Sequence, residues 1–409
     1  MDFELSPEQS EIQATARAFA DEVVAPQAAR ADLRSEFPLA VVRQMGDLGF
    51  FGLPFPEALG GVGAGFLAYL LALEEVSRAD AAVGITLEAG CSLGIAPIAS
   101  FGTAEQQGRL LPDLMAGRAL WAFGLTEPEA GSDAGGTRTR ATREAGGWVL
   151  DGEKCFITNA GTEMSRGVTL TARTDPRGAA ADGPAAPPRP RISAFLVERG
   201  TPGYLVGPPY RKLGWHASDT RPLTLDGCRV PDRNLLGTEG GGFRQFLTVL
   251  EGGRVAIASL SVGVAQACLD AALAHARARR QFGRPIARFQ AIQTKLADMA
   301  TQIELARLMV WRAGSLIEAG RPAGRFAAMA KLHASEVATA CANQAVQIHG
   351  GSGFMEDLPV ARYYRDVKIN EIGEGTSEVQ RLVIASHLLG HGGRVSPLLA
   401  DGGEAGEQG

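Results

Sequence analysis

A glutamate between two glycines is the residue of this sequence best placed to do chemistry. Glu374 lies in the stretch Ile372-Gly373-Glu374-Gly375-Thr376-Ser377-Glu378. Glycine on both sides removes neighbouring side-chain bulk, so the backbone can approach a ligand and the carboxylate can project from a turn. If it is also partly buried, its pKa would rise toward neutrality and it could act as a general base. The alternative is an ordinary loop glutamate.

The residues after Glu374 predict a helix. Ser377 and Gln380 have the spacing of a capping box, apolar residues follow through Leu389, and Gly390 is a typical C-terminal stop. We therefore expect Glu374 just outside a helix N-terminus.

Composition favours a soluble, multidomain enzyme. The chain has 409 residues, of which 45% are hydrophobic, enough for a large core and two or three domains. A formal charge of −5 offers no cationic surface for nucleic acid. The cysteines and histidines show no disulfide or metal-site spacing, so no metal is expected. An acidic N-terminus, and apolar runs judged too short to span a bilayer, predict a cytoplasmic protein without membrane insertion.

Hydrophobic periodicity divides the chain into a helical block, a β-domain and a second helical block. Residues 1–120 predict helices, the first beginning after Ser6 and ending at Pro26. Residues 121–234 carry short β-branched runs, with a turn at Asp151-Gly152.

The sequence also predicts a loop within the β-domain, the packing of the C-terminal helices and a C-terminal tail. A flexible loop is expected at 174–191, inside the β-domain. Residues 235–392 predict antiparallel packing of four helices, followed by a disordered tail at 393–409. This order of classes excludes a Rossmann fold, in which strands and helices alternate.

Other segments have residue types suited to a ligand. The loop 125–133 combines small residues, hydroxyls and free N–H groups that suit an oxygen-rich ligand, or it is a plain turn. Phe156 and Thr158 could wall a planar ring or belong to a core strand. The basic cluster 279–284 could bind phosphate or complement a helix dipole. Gly350-Gly351 could admit a nucleotide or cap a helix.

In this order and spacing, the segments resemble the acyl-CoA dehydrogenase family over almost the whole chain, to about residue 390. The motifs that carry the resemblance are Leu125-Thr126-Glu127-Pro128, Gly131-Ser132-Asp133, Phe156-Ile157-Thr158-Asn159, Lys212-Leu213-Gly214-Trp215-His216-Ala217-Ser218-Asp219-Thr220, Arg280-Gln281-Phe282-Gly283, Gln347-Ile348-His349-Gly350-Gly351 and Glu374-Gly375-Thr376-Ser377-Glu378. The resemblance implies a mostly α fold with a central β-domain: an N-terminal helical domain, a small β-barrel domain and a C-terminal antiparallel four-helix bundle.

The resemblance also implies a FAD-dependent acyl-CoA dehydrogenase. Glu374 would abstract the α-proton of an acyl-CoA thioester while the β-hydride passes to flavin N5, giving trans-2-enoyl-CoA. Electrons would pass to an electron-transfer flavoprotein, and the active unit would be a homotetramer. The pathways implied are fatty acid β-oxidation and branched-chain amino acid catabolism. The alternatives are an oxygen-using flavin oxidase or monooxygenase of the same fold, or a catalytically silent FAD- and CoA-binding subunit.

By the same resemblance, the cofactor contacts fall into sets along the chain. The FAD-binding residues would be Leu125, Thr126, Ser132, Phe156, Thr158, Thr376 and Glu378, together with Arg279, Gln281, Phe282, Gln290, Gln347, Gly350 and Gly351, which would reach a neighbouring subunit's cofactor.

Substrate contacts are implied at Ser132, Glu251, Arg254, Gly373 and Gly375. Some relatives carry the base on the helix near residue 250, one residue before the arginine that corresponds to Arg254. This chain has Gly253 at that position, so the nearby Glu251 is the alternative to Glu374 as the base. Gly373 stands where several straight-chain members have tyrosine. We therefore expect a wider pocket that accepts branched or bulkier short acyl groups.

Overall fold

The computed structural model describes residues 4–175 and 191–392. Most of the expected loop at 174–191 and all of the expected tail at 393–409 lie outside the described residues. Along the described chain, helices come first, then strands, then helices again.

Helices occupy the N-terminal part up to residue 115. Their bounds are α1 (Pro7–Phe19), α2 (Ala25–Arg34), α3 (Leu39–Asp47), α4 (Phe66–Ala79), α5 (Ala81–Glu88), α6 (Ala96–Phe101) and α7 (Ala104–Met115).

The expected end of the first helix at Pro26 is wrong. Ser6 and Gln9 do form a capping box at the start of α1. A π-helical turn at Ala20–Val24 then joins α1 to α2, and the helix continues to Arg34. Pro26 lies in the first turn of α2 after this π-helical turn, where its missing N–H and its fixed φ are tolerated.

A long apolar helical run that the sequence patterns did not predict passes through the core. It consists of α5, a π-helical stretch at Ala89–Ile95, and α6. Within the described residues, Ala81–Phe101 and the later helix Gly242–Ala278 are long and apolar enough to span a membrane, so the sequence judgement that no run approaches this length is wrong. In this fold they are core helices, because 89% and 83% of their apolar windows are buried.

The middle part is built around one mixed sheet. The strands are β1 (Leu120–Gly124), β2 (Arg140–Glu144), β3 (Gly147–Thr158), β4 (Ser165–Arg173), β5 (Ile192–Glu198), β6 (Tyr204–Val206), β7 (Thr220–Pro231) and β8 (Leu235–Leu236). Their order is β6-β7-β3-β2-β4-β5-β8, with β1 also beside β4. Among the described residues the end strands β6 and β8 do not pair, so the expected small β-barrel domain takes the form of one open mixed sheet.

The expected turn at Asp151-Gly152 is also wrong, because β3 runs straight through it. The pairing of β3 with β7 shifts register between Leu150 and Gly152, as at a β-bulge. A Cβ at Gly152 would lie 2.7 Å from the Cα of Thr139, so glycine here permits close approach of the neighbouring chain.

The C-terminal part is a bundle of long helices. Its elements are α8 (Gly242–Ala278), the short strands β9 (Arg280–Gln281) and β10 (Arg284–Pro285), α9 (Gln290–Glu318), α10 (Gly324–His349), α11 (Pro359–Asp366) and α12 (Ser377–Leu388). α10 packs against α8, α9 and α12, and α4 of the N-terminal part packs along α8. Buried alanines such as Ala334 and Ala338 let the helices approach closely.

Side-chain hydrogen bonds join the N-terminal helices to the middle part of the chain. Gln106 of α7 donates through Nε2 to the carbonyls of Arg233 (2.7 Å) and Leu235 (2.9 Å). Asn159, at the end of β3, donates through Nδ2 to the carbonyl of Thr86 on α5 (3.1 Å). The end of β3 is therefore fixed against the helix that carries Glu88.

Candidate active site

Glu374 lies on a tight turn before α12 whose backbone is held by buried side chains. Glu374 and Gly375 have φ values of 54° and 94°, a conformation that is uncommon for glutamate and easy for glycine. Gln380 donates through Nε2 to the carbonyls of Glu374 (3.2 Å) and Gly375 (2.9 Å). Lys331 of α10 donates through Nζ to the same Gly375 carbonyl (2.7 Å). Gln380 and Lys331 are both fully buried, so the turn is fixed from inside the protein.

The capping residue of α12 is Thr376, so the expected capping box from Ser377 is wrong. Thr376 Oγ1 accepts from the N–H of Val379 (3.3 Å). Gln380 cannot complete a capping box because its amide is bound to the turn that carries Glu374. The partners of Gln380 are the carbonyls of the Glu374 turn.

The carboxyl group of Glu374 is buried although part of its residue is accessible. Both oxygens are inaccessible to solvent, and no N–H or hydroxyl of the described residues donates to them. The group lies against Gly253 of α8: an added Cβ there would overlap Oε2 and lie 2.9 Å from Cδ. A side chain at position 253 and the Glu374 carboxyl would therefore compete for the same space.

Burial and nearby charge bring the basicity of Glu374 close to neutral. Burial raises the pKa of Glu374 to about 7, while a hydrogen bond with Glu88 and the positive charges of Lys331 and Arg254 limit the rise. Burial lowers the pKa of Lys331 to about 8. A carboxylate with this pKa is well matched to proton transfer at physiological pH.

Three residues of this centre were missed in the sequence: Tyr69 on α4, Glu88 on α5 and Lys331 on α10. Burial, and then the charge of Glu374, raise the pKa of Glu88 well above its usual value. Each charged member stands alone in an apolar or alanine-rich helical stretch. Because acidic residues and lysines are almost never fully buried without a partner, that isolation was the available signal.

The loop with Leu125 and Thr126 is anchored by a buried ion pair. Lys154 donates through Nζ to Glu127 Oε1 (2.7 Å), the Leu125 carbonyl (3.2 Å) and Thr171 Oγ1 (3.1 Å). Burial lowers the pKa of Lys154 to about 8. Burial also opposes ionisation of Glu127, but Lys154 and further hydrogen bonds hold the pKa of Glu127 below its usual value.

Phe156 presents an aromatic face beside this loop. The Cys155 N–H donates to the Thr126 carbonyl (2.9 Å), which joins the loop to the end of β3. Phe156 has φ 61° and is 66% exposed, with its ring centroid 5.4 Å from that of Tyr210. The structure thus brings Leu125, Thr126 and Phe156 together, and Thr158 ends the same strand.

The other predicted cofactor residues lie at the surface, on separate elements. Phe282 is 92% exposed. They lie on the β9–β10 hairpin, at the start of α9, at the end of α10, in the loop after Gly131 and in the first turn of α12. The exposed residues are Arg279, Gln281, Phe282, Gln290, Gln347, Gly350, Gly351, Ser132 and Glu378.

Among the predicted substrate residues, Glu251 differs from Glu374 in burial. Glu251 is exposed, and its carboxyl faces Gly324 at the start of α10. Arg254 is 8% exposed and acts on Glu374 electrostatically. At Gly373 an added Cβ would meet only the carbonyl of Ile369, at 3.5 Å, so the space beside it is open.

The described chain thus combines a buried, raised-pKa carboxyl on the turn before α12 with a polar loop that lies beside an exposed aromatic ring. Three family models match the chain in sequence. They are acyl-CoA dehydrogenase N-terminal domain (residues 6–118), middle domain (122–228) and C-terminal domain (240–389).

Curated and solved relatives agree with these models. A probable acyl-CoA dehydrogenase of Bacillus subtilis, YngJ, is 50% identical over 389 residues, which cover 95% of this chain and all of the relative. Butyryl-CoA dehydrogenase of Megasphaera elsdenii has a TM-score of 0.90 and 41% identity, covering 95% of this chain and 100% of that one. A chain solved in work on the electron transferring flavoprotein of Acidaminococcus fermentans has a TM-score of 0.90, 42% identity and the same coverage.

This chain therefore belongs to the acyl-CoA dehydrogenase family. It is an oxidoreductase of the class that acts on CH–CH groups.

The Lys154–Glu127 pair gives a stability test of the loop. Lys154→Met should leave a buried carboxylate without its cation and cost about 3–5 kcal/mol of unfolding free energy. Adding Glu127→Gln should recover most of that loss, because the amide oxygen can still accept from the N–H groups of Arg138 and Thr139. Unfolding midpoints in urea measure both. A double variant no more stable than Lys154→Met alone would contradict the conclusion that Lys154 neutralises a buried Glu127 carboxylate.

Proposed function

We propose that this protein is a FAD-dependent dehydrogenase of short-chain acyl-CoA thioesters and that Glu374 is its catalytic base. The observation that carries the proposal is the buried Glu374 carboxyl, fixed by its turn and raised in pKa to about 7. Similarity to the butyryl-CoA dehydrogenase of Megasphaera elsdenii supports the thioester substrate and its short acyl chain.

Removal of an α-proton requires a base in place and stabilisation of the charge that develops on the thioester oxygen. Glu374 takes the proton on its carboxylate, which becomes neutral as negative charge builds on the substrate. Among the described residues, the Glu374 N–H donates to no protein group, so it is free to bond the thioester oxygen. One residue then supplies both the base and an oxyanion donor.

The residues present fit a flavin. The polar edge of the 125–126 loop, the exposed Phe156 face and the hydroxyl of Thr158 together suit a planar, oxygen-rich ring. When bound, FAD supplies the acceptor for the hydride that leaves the β-carbon, so that proton and hydride loss together give the trans-2-enoyl product. Lys154 and Glu127 position the loop that would meet it.

The finer assignments follow from the same site. Open space beside Gly373 supports acceptance of branched short acyl groups, which would place the enzyme in branched-chain amino acid catabolism or fatty acid β-oxidation. The chain solved in the Acidaminococcus fermentans work supports an electron-transfer flavoprotein as acceptor. Exposed apolar side chains on the C-terminal part, such as Phe282 and Phe354, support a homotetramer built on that part. We place the protein in the cytoplasm.

Anaerobic spectra of the purified flavoprotein test the reaction. On titration with butyryl-, isobutyryl-, isovaleryl-, octanoyl- and palmitoyl-CoA, the oxidised-flavin band should bleach with the short thioesters. Glu374→Gln should bind flavin but bleach at least about 100-fold more slowly, because the amide cannot accept the proton. Flavin that no thioester bleaches would contradict the proposal. Oxygen consumption on substrate addition would instead favour an oxidase.

The pH dependence of kcat/KM tests the buried base. Glu374 works as the carboxylate, and its pKa lies near 7. We expect kcat/KM to rise with pH and level off above an apparent pKa of about 7, a value that belongs to the interacting Glu374–Glu88 pair. A profile flat between about pH 5.5 and about pH 8.5 would contradict it.

Gly253 provides a matched pair of variants. In Gly253→Ala the new methyl group displaces the carboxyl end of Glu374, a flexible group, so the protein should fold while kcat/KM falls about 100-fold. Gly252→Ala is the control, because its nearest neighbour is the Phe66 ring at 3.8 Å. Steady-state kinetics and flavin content measure the difference. Equal activities in the two variants would show that Glu374 does not need this space.

A further inference from the structure

Glu88 is a buried acid that the proposed reaction leaves unused. It is the last residue of α5, where the helix gives way to the π-helical stretch Ala89–Ile95. Its side chain is completely buried, and no N–H or hydroxyl of the described residues makes a hydrogen bond of ordinary geometry to either oxygen. A carboxyl group in this setting is costly unless it has a partner.

The partner available to Glu88 is Glu374. The two side chains lie within hydrogen-bonding reach of each other, and both carboxyl groups are buried. The Ser92 hydroxyl also acts on Glu88 and lowers its pKa, but less than burial and Glu374 raise it. Two carboxylate oxygens can bond only if one carries a proton. A proton between them therefore satisfies both groups at once.

The surroundings decide which acid keeps the proton. The groups facing Glu88 are neutral apart from Glu374. They are the Ser92 hydroxyl, the Tyr69 hydroxyl, which lies 3.2 Å from Ser92 Oγ, and the Cys91 thiol, directed at the carbonyls of Phe50 and Phe51.

Glu374 by contrast is faced by two cations, Lys331 from α10 and Arg254 from α8. The negative charge is therefore stabilised on Glu374 and not on Glu88.

We propose that in the free enzyme Glu88 is a neutral acid that donates a hydrogen bond to the Glu374 carboxylate and positions it as the base. Glu88 is a positioning residue, since it acts through Glu374. It keeps Glu374 ionised at lower pH than burial alone would allow. The kinetic part of this proposal rests on the proposed function, whereas the protonation state of Glu88 does not.

Infrared difference spectroscopy of the free flavoprotein tests the proton directly. At about pH 8, above the pKa of Glu374 near 7, subtracting the spectrum of Glu88→Gln from that of the wild type should leave a protonated-carboxyl C=O band. Absence of this band would overturn the proposal. This measurement needs no substrate, so it is informative even if the protein is not a dehydrogenase.

The pH profile of kcat/KM tests the hydrogen bond. Glu88→Leu removes the donor, so the acid limb should move up by about one pH unit, with activity recovering at high pH. Glu88→Gln retains an N–H donor and should keep the limb near its wild-type position. Superimposed wild-type and Glu88→Leu profiles, or equal shifts in both variants, would overturn the proposal. If Glu88→Leu fails to fold, the infrared result for Glu88→Gln still decides it.

Discussion

Burial of the Glu374 carboxylate is the constraint on which the rest of the site depends. Removing an ionised group from water costs several kcal/mol, and the protein must offset this cost without forming a tight ion pair that would abolish basicity. Lys331 and Arg254 act on the charge, but neither donates to the carboxyl oxygens. Lys331 Nζ donates instead to the Gly375 carbonyl. The carboxylate of the proposed base is therefore stabilised at a distance, and its oxygens stay available to a substrate.

This constraint explains residues from two parts of the chain. α8 supplies Gly253, whose missing side chain leaves room for the carboxyl, and α10 supplies Lys331. α5 brings Glu88 from the N-terminal part, and Asn159 ties that helix to the end of β3. The strand that borders the 125–126 loop is thus tied by a hydrogen bond to the helix whose last residue faces the proposed base.

The sequence predicted the elements whose signals are local, and it missed those that depend on packing. Glu374 is evident in the sequence because flanking glycines mark an unusual backbone. Sequence alone does not distinguish Thr376 from Ser377 as the capping residue, because both side chains can cap a helix. Pro26 and Asp151-Gly152 have the local signals of a helix end and a turn, yet a π-helical turn and a β-bulge accommodate them. Glu88 and Lys331 escaped because their importance lies in a contact with Glu374 from helices far away in sequence.

The most direct test of the account is exchange of the α-protons of butyryl-CoA with solvent deuterium under anaerobic conditions, followed by NMR. This measurement reports proton abstraction by the protein and needs no electron acceptor. If Glu374 is the base, the wild type should exchange these protons and Glu374→Gln should do so at least about 100-fold more slowly. Exchange at equal rates in both proteins would show that another group removes the proton.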